Sequence, residues 1–333
     1  MRWLGCELHT HTLHSDGKQT LSELAAGAVQ LGFDAIALTD HNTMSGLDNR
    51  EELSQEHGLL IIPGMEWTTF YGHMVTLGLN DFADWRKTDR TQISSGIQEV
   101  QRHGGIAGLA HPFRIGSPAC TGCYWEYEIQ DWSKVNYIEV WSGTFASIKI
   151  SNQRAYSLWT DKLNEGYRIA ATSGRDWHEQ IATEEPISVT YLGIPADTEP
   201  TEADLVQALS VGRASVTIGP LLTLELEVRD DKVGIGSVVR RDSMEGPAVA
   251  HISLDFTVRS GLWRLQEQTC RLVLCSNLGI EDERDIPLRA VSGSEHYEAT
   301  LNSNGRQWLR VELWGTVQGA NTLIAFTNAI YFE

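Results

Sequence analysis

The amino-acid sequence predicts a two-part chain: a parallel α/β domain, open or closed into a barrel, followed by a smaller antiparallel β-sandwich. Three observations predict it. The chain has 333 residues, which at roughly 100–200 residues per domain favours two domains. Through residues 1–219 short apolar runs alternate with amphipathic segments, the pattern of repeated β-α units whose strands are buried on both faces. Through residues 220–333 the helical period disappears, and alternating or β-rich runs follow one another with loops between. The division is placed at Gly219-Pro220, giving domains of residues 1–219 and 220–333.

The elements follow in order. After an initial apolar segment, Thr20 and Glu23 have the spacing of a capping box ahead of a helix over 24–31, and Gly32 reads as its stop. Strands are expected at 33–38 (FDAIAL), 59–62 (LLII), 74–79 (MVTLGL), 105–110 (GIAGLA), 137–141 (YIEVW) and 167–171 (YRIAA). Each is short and apolar without alternation, as a buried parallel strand would be. Helices are expected over 48–57, 94–103, 153–164 and 202–210. Beyond the division, 222–228 (LTLELEV), 251–258 (HISLDFTV), 271–274, 308–314 (WLRVELW) and 323–326 read as antiparallel strands. No internal repeat, low-complexity segment or long linker interrupts them.

Composition narrows the function classes. Hydrophobic residues make up 41% and charged residues 21%, an ordinary globular composition with ample material for a core. No run approaches the roughly 20 apolar residues of a membrane span. A net charge of −18, from 44 acids against 26 bases, argues against duplex nucleic acid as a partner. The N-terminus lacks the basic and apolar regions of a signal peptide. The five cysteines (Cys6, Cys120, Cys123, Cys270, Cys275) are sparse and odd in number, so a reducing, cytoplasmic location is expected. Cys120 and Cys123 have the spacing of half a zinc ribbon, but no second such pair exists, and they are read as incidental thiols.

The informative feature is where histidines and acids fall. His9 and His11 follow the first apolar segment, and Asp16 lies five residues on. His41 ends the second strand, Glu66 follows the third, His73 begins the fourth and His111 ends the fifth. Asp176 and His178 follow the last strand of the series. Parallel α/β proteins gather their sites at the carboxyl ends of strands. An H-x-H or D-x-H pair on extended backbone points both side chains to one side. Taken singly, each of these residues has a bland reading as a cap, a solvated acid or a satisfied histidine. Together they supply six imidazoles and three carboxylates, more than one metal takes. Two or three divalent ions sharing three carboxylates leave a net positive hole that suits an anionic substrate. His14, His57, His103, His251 and His296 fit no cluster. Trp125, Trp132 and Trp141 are read as packing residues.

The segments HTHTLHSDG, LTDHNT, PGMEW, GHMVTLG, AHPF and GRDWH, in this order, resemble the motifs of the PHP (polymerase and histidinol phosphatase) metal-dependent phosphoesterases. The resemblance covers residues 1 to 180. ALSVGRASVTIGP and FTNAIYF are similar to segments of the CehA/McbA branch, with Ala329 where that branch has proline. The resemblance implies a distorted (β/α)7 barrel in front of the β-sandwich. It implies that His9, His11, Glu66 and Asp176 hold one ion, that Glu66 bridges to a second held by His73 and His111, and that Asp16, His41 and His178 hold a third. The ions would be zinc, manganese or iron, and a hydroxide bridging them would attack a small phosphorylated substrate. Glu66, Asp176, His41 and His178 then count as catalytic, the two histidines as candidate proton donors. Arg114 and Arg175 are candidate clamps for phosphate oxygens. The CehA/McbA likeness implies a rival: cleavage of a carbamate, carboxylic ester or amide on the same site. A further alternative makes the β-domain a glycan- or protein-binding module.

Overall fold

The computed structural model describes residues 1–116, 122–229, 231–240, 247–288, 293–301 and 305–333. β1 (Arg2–Thr10) opens a ring of seven strands. Thr20 caps α1 (Leu21–Gln30) in a complete capping box, accepting from the Glu23 N–H while the Glu23 carboxylate accepts from its own. The helix packs Leu24, Ala25 and Ala28 against Ile36 and Leu38 of β2 (Ala35–Leu38), which lies parallel to β1. α2 (Arg50–His57) ends on Gly58, left-handed at φ 62°, as a helix C-terminus often requires. β3 (Leu60–Thr69) then adds parallel to β2.

Here the expected uniform parallel order fails. β3 turns through Phe70 and Tyr71 directly into β4 (Gly72–Leu77), and the two are antiparallel. A connection this short cannot hold the crossover that a parallel neighbour needs. α3 (Ile93–Arg102) leads to β5 (Ile106–Leu109), antiparallel to β4. Parallel order resumes with β6 (Tyr137–Ser142), α4 (Ile150–Asn164) and β7 (Ala170–Gly174). The reversal matters for the site: β4 runs backwards, so its first residues stand at the same mouth as the last residues of its neighbours. The ring closes where Trp177 bridges to Thr10, with His11 N–H donating to Trp177 O at 2.9 Å and Trp177 N–H to His9 O at 3.0 Å.

β8 (Val189–Ile194) pairs antiparallel with the other end of β1. α5 (Glu202–Ser210) and β9 (Ala214–Thr217) follow. Beyond them come β10 (Leu221–Val228), β11 (Asp231–Gly234), β12 (Val238–Val239), β13 (Ala248–Asp255) and β14 (Gln268–Ser276). The chain ends with β15 (Gly279–Leu288), β16 (Ser294–Leu301), β17 (Trp308–Val317), β18 (Ala320–Thr327) and β19 (Ile330–Phe332). One antiparallel sheet has the order β11-β10-β13-β16. Its alternating apolar face, Leu222, Leu224, Leu226, Ile252 and Leu254, packs on Leu272, Leu274 and Leu313 of the facing sheet. The all-β region is thus an antiparallel sandwich.

The facing sheet does not stop at the sandwich. β18 pairs with β9, which pairs with β8, which pairs with β1. Asn328 staples the junction: its buried amide accepts from Ala171 N–H at 2.6 Å and donates to Ala171 O at 2.9 Å. Trp141, Trp159 and Phe326 meet across the same seam. Trp141 is buried, and Trp125 and Trp132 pack partly buried against the core, in keeping with their reading as packing residues. Cys123 is buried and disulfide-bonded, so it is not an incidental thiol; Cys120 lies outside the described residues. No helix among the described residues is long and apolar enough to cross a membrane.

Candidate metal centre

Nine side chains predicted from the sequence converge at the mouth of the ring. The end of β1 carries His9 and, one residue beyond the strand, His11; both are fully buried. Glu66 lies inside β3 rather than after it, also fully buried. His9 Nε2 lies 3.3 Å from Glu66 Oε2 and 3.4 Å from Asp176 Oδ1. His11 Nε2 lies 3.1 Å from Asp176 Oδ1 and 3.5 Å from Glu66 Oε2. The other oxygen of Glu66, Oε1, is 3.0 Å from His73 Nδ1 and 3.2 Å from His111 Nε2. Glu66 therefore presents one oxygen to each of two ligand groups. Outside them, Asp16 Oδ1 lies 3.0 Å from His178 Nε2 and 3.3 Å from His41 Nε2. Three sets of candidate ligand atoms result, each within 4.8 Å: His9, His11, Glu66 and Asp176; Glu66, His73 and His111; and His11, Asp16, His41 and His178. Membership follows the resemblance, with His11 added to the third set.

The chemistry of these atoms fits divalent ions. His9 Nε2, His11 Nε2, Glu66 Oε2 and Asp176 Oδ1, the facing atoms of the first set, are buried and make no hydrogen bond. Buried ring nitrogens without partners are costly in a protein interior, and a metal ion satisfies a lone pair as a hydrogen bond would. Electrostatics agree. Burial pushes the Glu66 carboxyl up, but His9 and its hydrogen-bonded neighbours His111, His41 and His73 outweigh it and hold it well below the carboxylate range. Asp176 is held down in the same way by His9 and His11. At His41, burial opposes the charged ring, but Asp16 and Glu66 raise its pKa to about 10. The carboxylates are ionised and compete for cations.

Backbone strain marks the same place. His111 and Asp176 have φ of 29° and 55°, and Asn42, beside His41, has 56°. Non-glycine residues in the left-handed region are uncommon and cluster at functional sites.

Several residues that sequence reasoning passed over hold the candidate ligands in place. Glu139, in the middle of β6, puts Oε2 2.7 Å from His9 Nδ1. Asp40 accepts from Thr12 N–H at 2.7 Å and from the hydroxyls of Thr12 and Ser15 at 2.6 Å, which secures the loop carrying Asp16. Thr68 bonds His41 Nδ1. Glu7 accepts from the N–H groups of Arg175 and His9 at 2.9 and 3.2 Å. A signal was present for two of them: Glu7 and Glu139 are carboxylates inside apolar strand runs, where an unpaired charge would be too costly to keep.

The two candidate clamps part company. Arg114, half exposed, pairs with Asp176 Oδ2, the oxygen turned away from His9 and His11. Arg175 stacks 4.3 Å from the ring centroid of Trp177, and Glu7 is its electrostatic partner. The structure brings Arg114 to the ligand cluster and places the Arg175 guanidinium on a tryptophan instead.

Residues 7–103 match the family model described as the PHP domain. An uncharacterised protein of Methanocaldococcus jannaschii is 29% identical over 126 residues, 34% of this chain and 69% of that protein. A phosphoribosyl 1,2-cyclic phosphate 1,2-diphosphodiesterase of Eggerthella lenta is 33% identical over 64 residues, 19% of this chain and 24% of that enzyme. A 5'-3' exoribonuclease of Haemophilus influenzae is 38% identical over 63 residues, 19% of this chain and 23% of that enzyme. The chain thus spans 69% of the first relative but only about a quarter of the other two. A two-domain protein of Bacteroides vulgatus, described as containing a predicted PHP-like metal-dependent phosphoesterase, superposes with a TM-score of 0.57 at 17% identity. The match covers 99% of this chain and 95% of that one, so the two share a two-part fold.

Proposed function

We propose that this chain is a metal-dependent phosphoesterase, with residues 1–219 as its hydrolase domain and residues 220–333 as a sandwich that braces it. The observation that carries the reading is Glu66, whose two oxygens face two separate sets of buried imidazoles. His9, His11, Glu66 and Asp176 would hold one ion, Glu66, His73 and His111 a second, and Asp16, His41 and His178, with His11 beside them, a third. Bound divalent ions supply an acidified water nucleophile and offset phosphoryl charge. The chain's own residues do the rest. Arg114, anchored on Asp176, offers its remaining N–H groups to a phosphate oxygen as charge builds. His41 and His178, both hydrogen-bonded to Asp16, keep protons available for the leaving oxygen when only the two inner sets are filled. The diphosphodiesterase and exoribonuclease among the relatives support phosphate ester chemistry.

The test is a substrate panel on protein stripped with a chelator and reloaded with zinc, manganese or ferrous ion. Turnover of p-nitrophenyl phosphate or bis(p-nitrophenyl) phosphate should require the ion, and inorganic phosphate should compete. Turnover of p-nitrophenyl acetate or a carbamate alone, without inhibition by phosphate, would overturn the reading in favour of carboxylic or carbamic ester cleavage.

A further inference from the structure

Lys149 stands where a helix disfavours a cation. It is the residue before α4, its side chain makes no capping bond, and the first turn of that helix contains no acid. The N-terminal end of a helix carries partial positive charge, so Lys149 sits against the dipole. Its ammonium nevertheless folds back across the strand end, donating to Ser142 O at 3.2 Å. Gly143, left-handed at φ 78°, leaves the room for it: a Cβ there would lie 2.3 Å from Lys149 Nζ. Gly143 N–H in turn donates at 3.0 Å to Gly174 O, two residues before Asp176. The ammonium is therefore at the rim of the metal centre, on the side of β6 and β7.

Lys149 makes no ion pair: among the described residues no carboxylate lies within ion-pair distance of it. Burial and the neighbouring Arg114 push its pKa down, while Glu185, Asp176 and Glu139 act in the other direction. Two cations thus share one edge of the mouth, in a chain whose net charge is −18. Arg114 is ion-paired with a ligand carboxylate, whereas Lys149 has carboxylates only at longer range. A cation that breaks a local rule with no ion pair to offset it is the kind of violation expected at a functional site.

We infer that Lys149 is a specificity-determining residue that binds a second anionic group of the substrate, a carboxylate or phosphate a few bonds from the reacting phosphate that Arg114 contacts. The inference rests on the phosphoesterase reading and narrows it to phosphate esters carrying a further negative charge.

A matched substrate pair tests it: 3-phosphoglycerate, which carries a carboxylate, against glycerol 1-phosphate, which does not. The wild-type chain should prefer the first. Lys149→Met should raise KM for 3-phosphoglycerate by about tenfold or more, the scale of one hydrogen bond to a charged group. Its kcat/KM for glycerol 1-phosphate and its metal content should stay near wild type, and Lys149→Arg should restore most of the preference. A wild-type chain indifferent to the carboxylate, or a Lys149→Met variant that loses both substrates equally, overturns the role of Lys149 while leaving the phosphoesterase reading standing. Failure of the reloaded wild-type chain to cleave either ester, with turnover of p-nitrophenyl acetate, overturns the functional reading and this inference with it.

Discussion

Glu139 should control how His9 binds metal. The two side chains are fully enclosed, at 0% and 4% exposure, with Glu139 Oε2 2.7 Å from His9 Nδ1. A neutral imidazole carries one N–H. A carboxylate at Nδ1 accepts the hydrogen bond of that N–H, keeping the proton on Nδ1 and the lone pair on Nε2, the atom that faces Glu66 and Asp176 at 3.3 and 3.4 Å. Removing such an orienting carboxylate costs about 10–100-fold in metal affinity, or about 1.4–2.8 kcal/mol. Glu139→Ala should show that loss at the site of His9 and His11, and spare the site of His73 and His111. Glu139→Gln keeps the volume beside Gly174, where a Cβ would already lie 2.7 Å from Glu139 Oε2, so it separates orientation from packing. Its amide can accept from Nδ1–H or donate to Nδ1, so its affinity should fall between the other two. Zinc titration of chelator-stripped protein by calorimetry, with elemental analysis after dialysis, reads each class of site. Wild-type affinity at every site in Glu139→Ala would refute the orientation argument.

Glu66→Ala should lower metal content at two sites together, whereas Asp16→Ala, whose side chain is 62% exposed, should weaken only the outermost; unchanged stoichiometry in Glu66→Ala would contradict bridging. Arg114→Ala should lower phosphoesterase kcat by about 10²-fold or more, the scale of one lost transition-state donor. Arg175→Ala should leave the rate near wild type and cost about 0.5–1 kcal/mol of stability from the contact with Trp177; the reverse order in kcat would show that the placement of the two arginines misleads. Burial raises the Glu7 carboxyl from 4.5 to about 7, so between those values the folded chain holds a proton that the unfolded chain has lost. Its contribution to stability is whole below pH 4.5 and is lost as pH rises through about 7. Glu7→Gln cannot titrate and should flatten that part of the Tm-against-pH curve, and an unaltered slope would refute the assignment.

How much was legible beforehand follows from what is local. Strand and helix positions came close because the apolar period and the capping box act within a few residues: 202–210 was read as a helix and α5 spans Glu202–Ser210. The nine candidate ligand positions that converge at the mouth were legible because imidazoles and carboxylates at strand ends are chemistry written along the chain. Three kinds of fact were not. The reversal of β4 depends on the tight Phe70–Tyr71 connection, which an apolar run alone does not reveal. The direction of a long side chain depends on its neighbours, so Arg114 and Arg175 looked equivalent until Asp176 and Trp177 chose between them. The pairing of Glu139 with His9 spans 130 residues, and no local period records it. The sequence by itself determined the secondary structure, the two-part division of fold and the set of candidate ligands, since each is set by residue type and near neighbours. Only the tertiary structure decided which oxygen faces which ring, which cation stands at the mouth and which backbone is held left-handed, because those follow from closing the ring of strands.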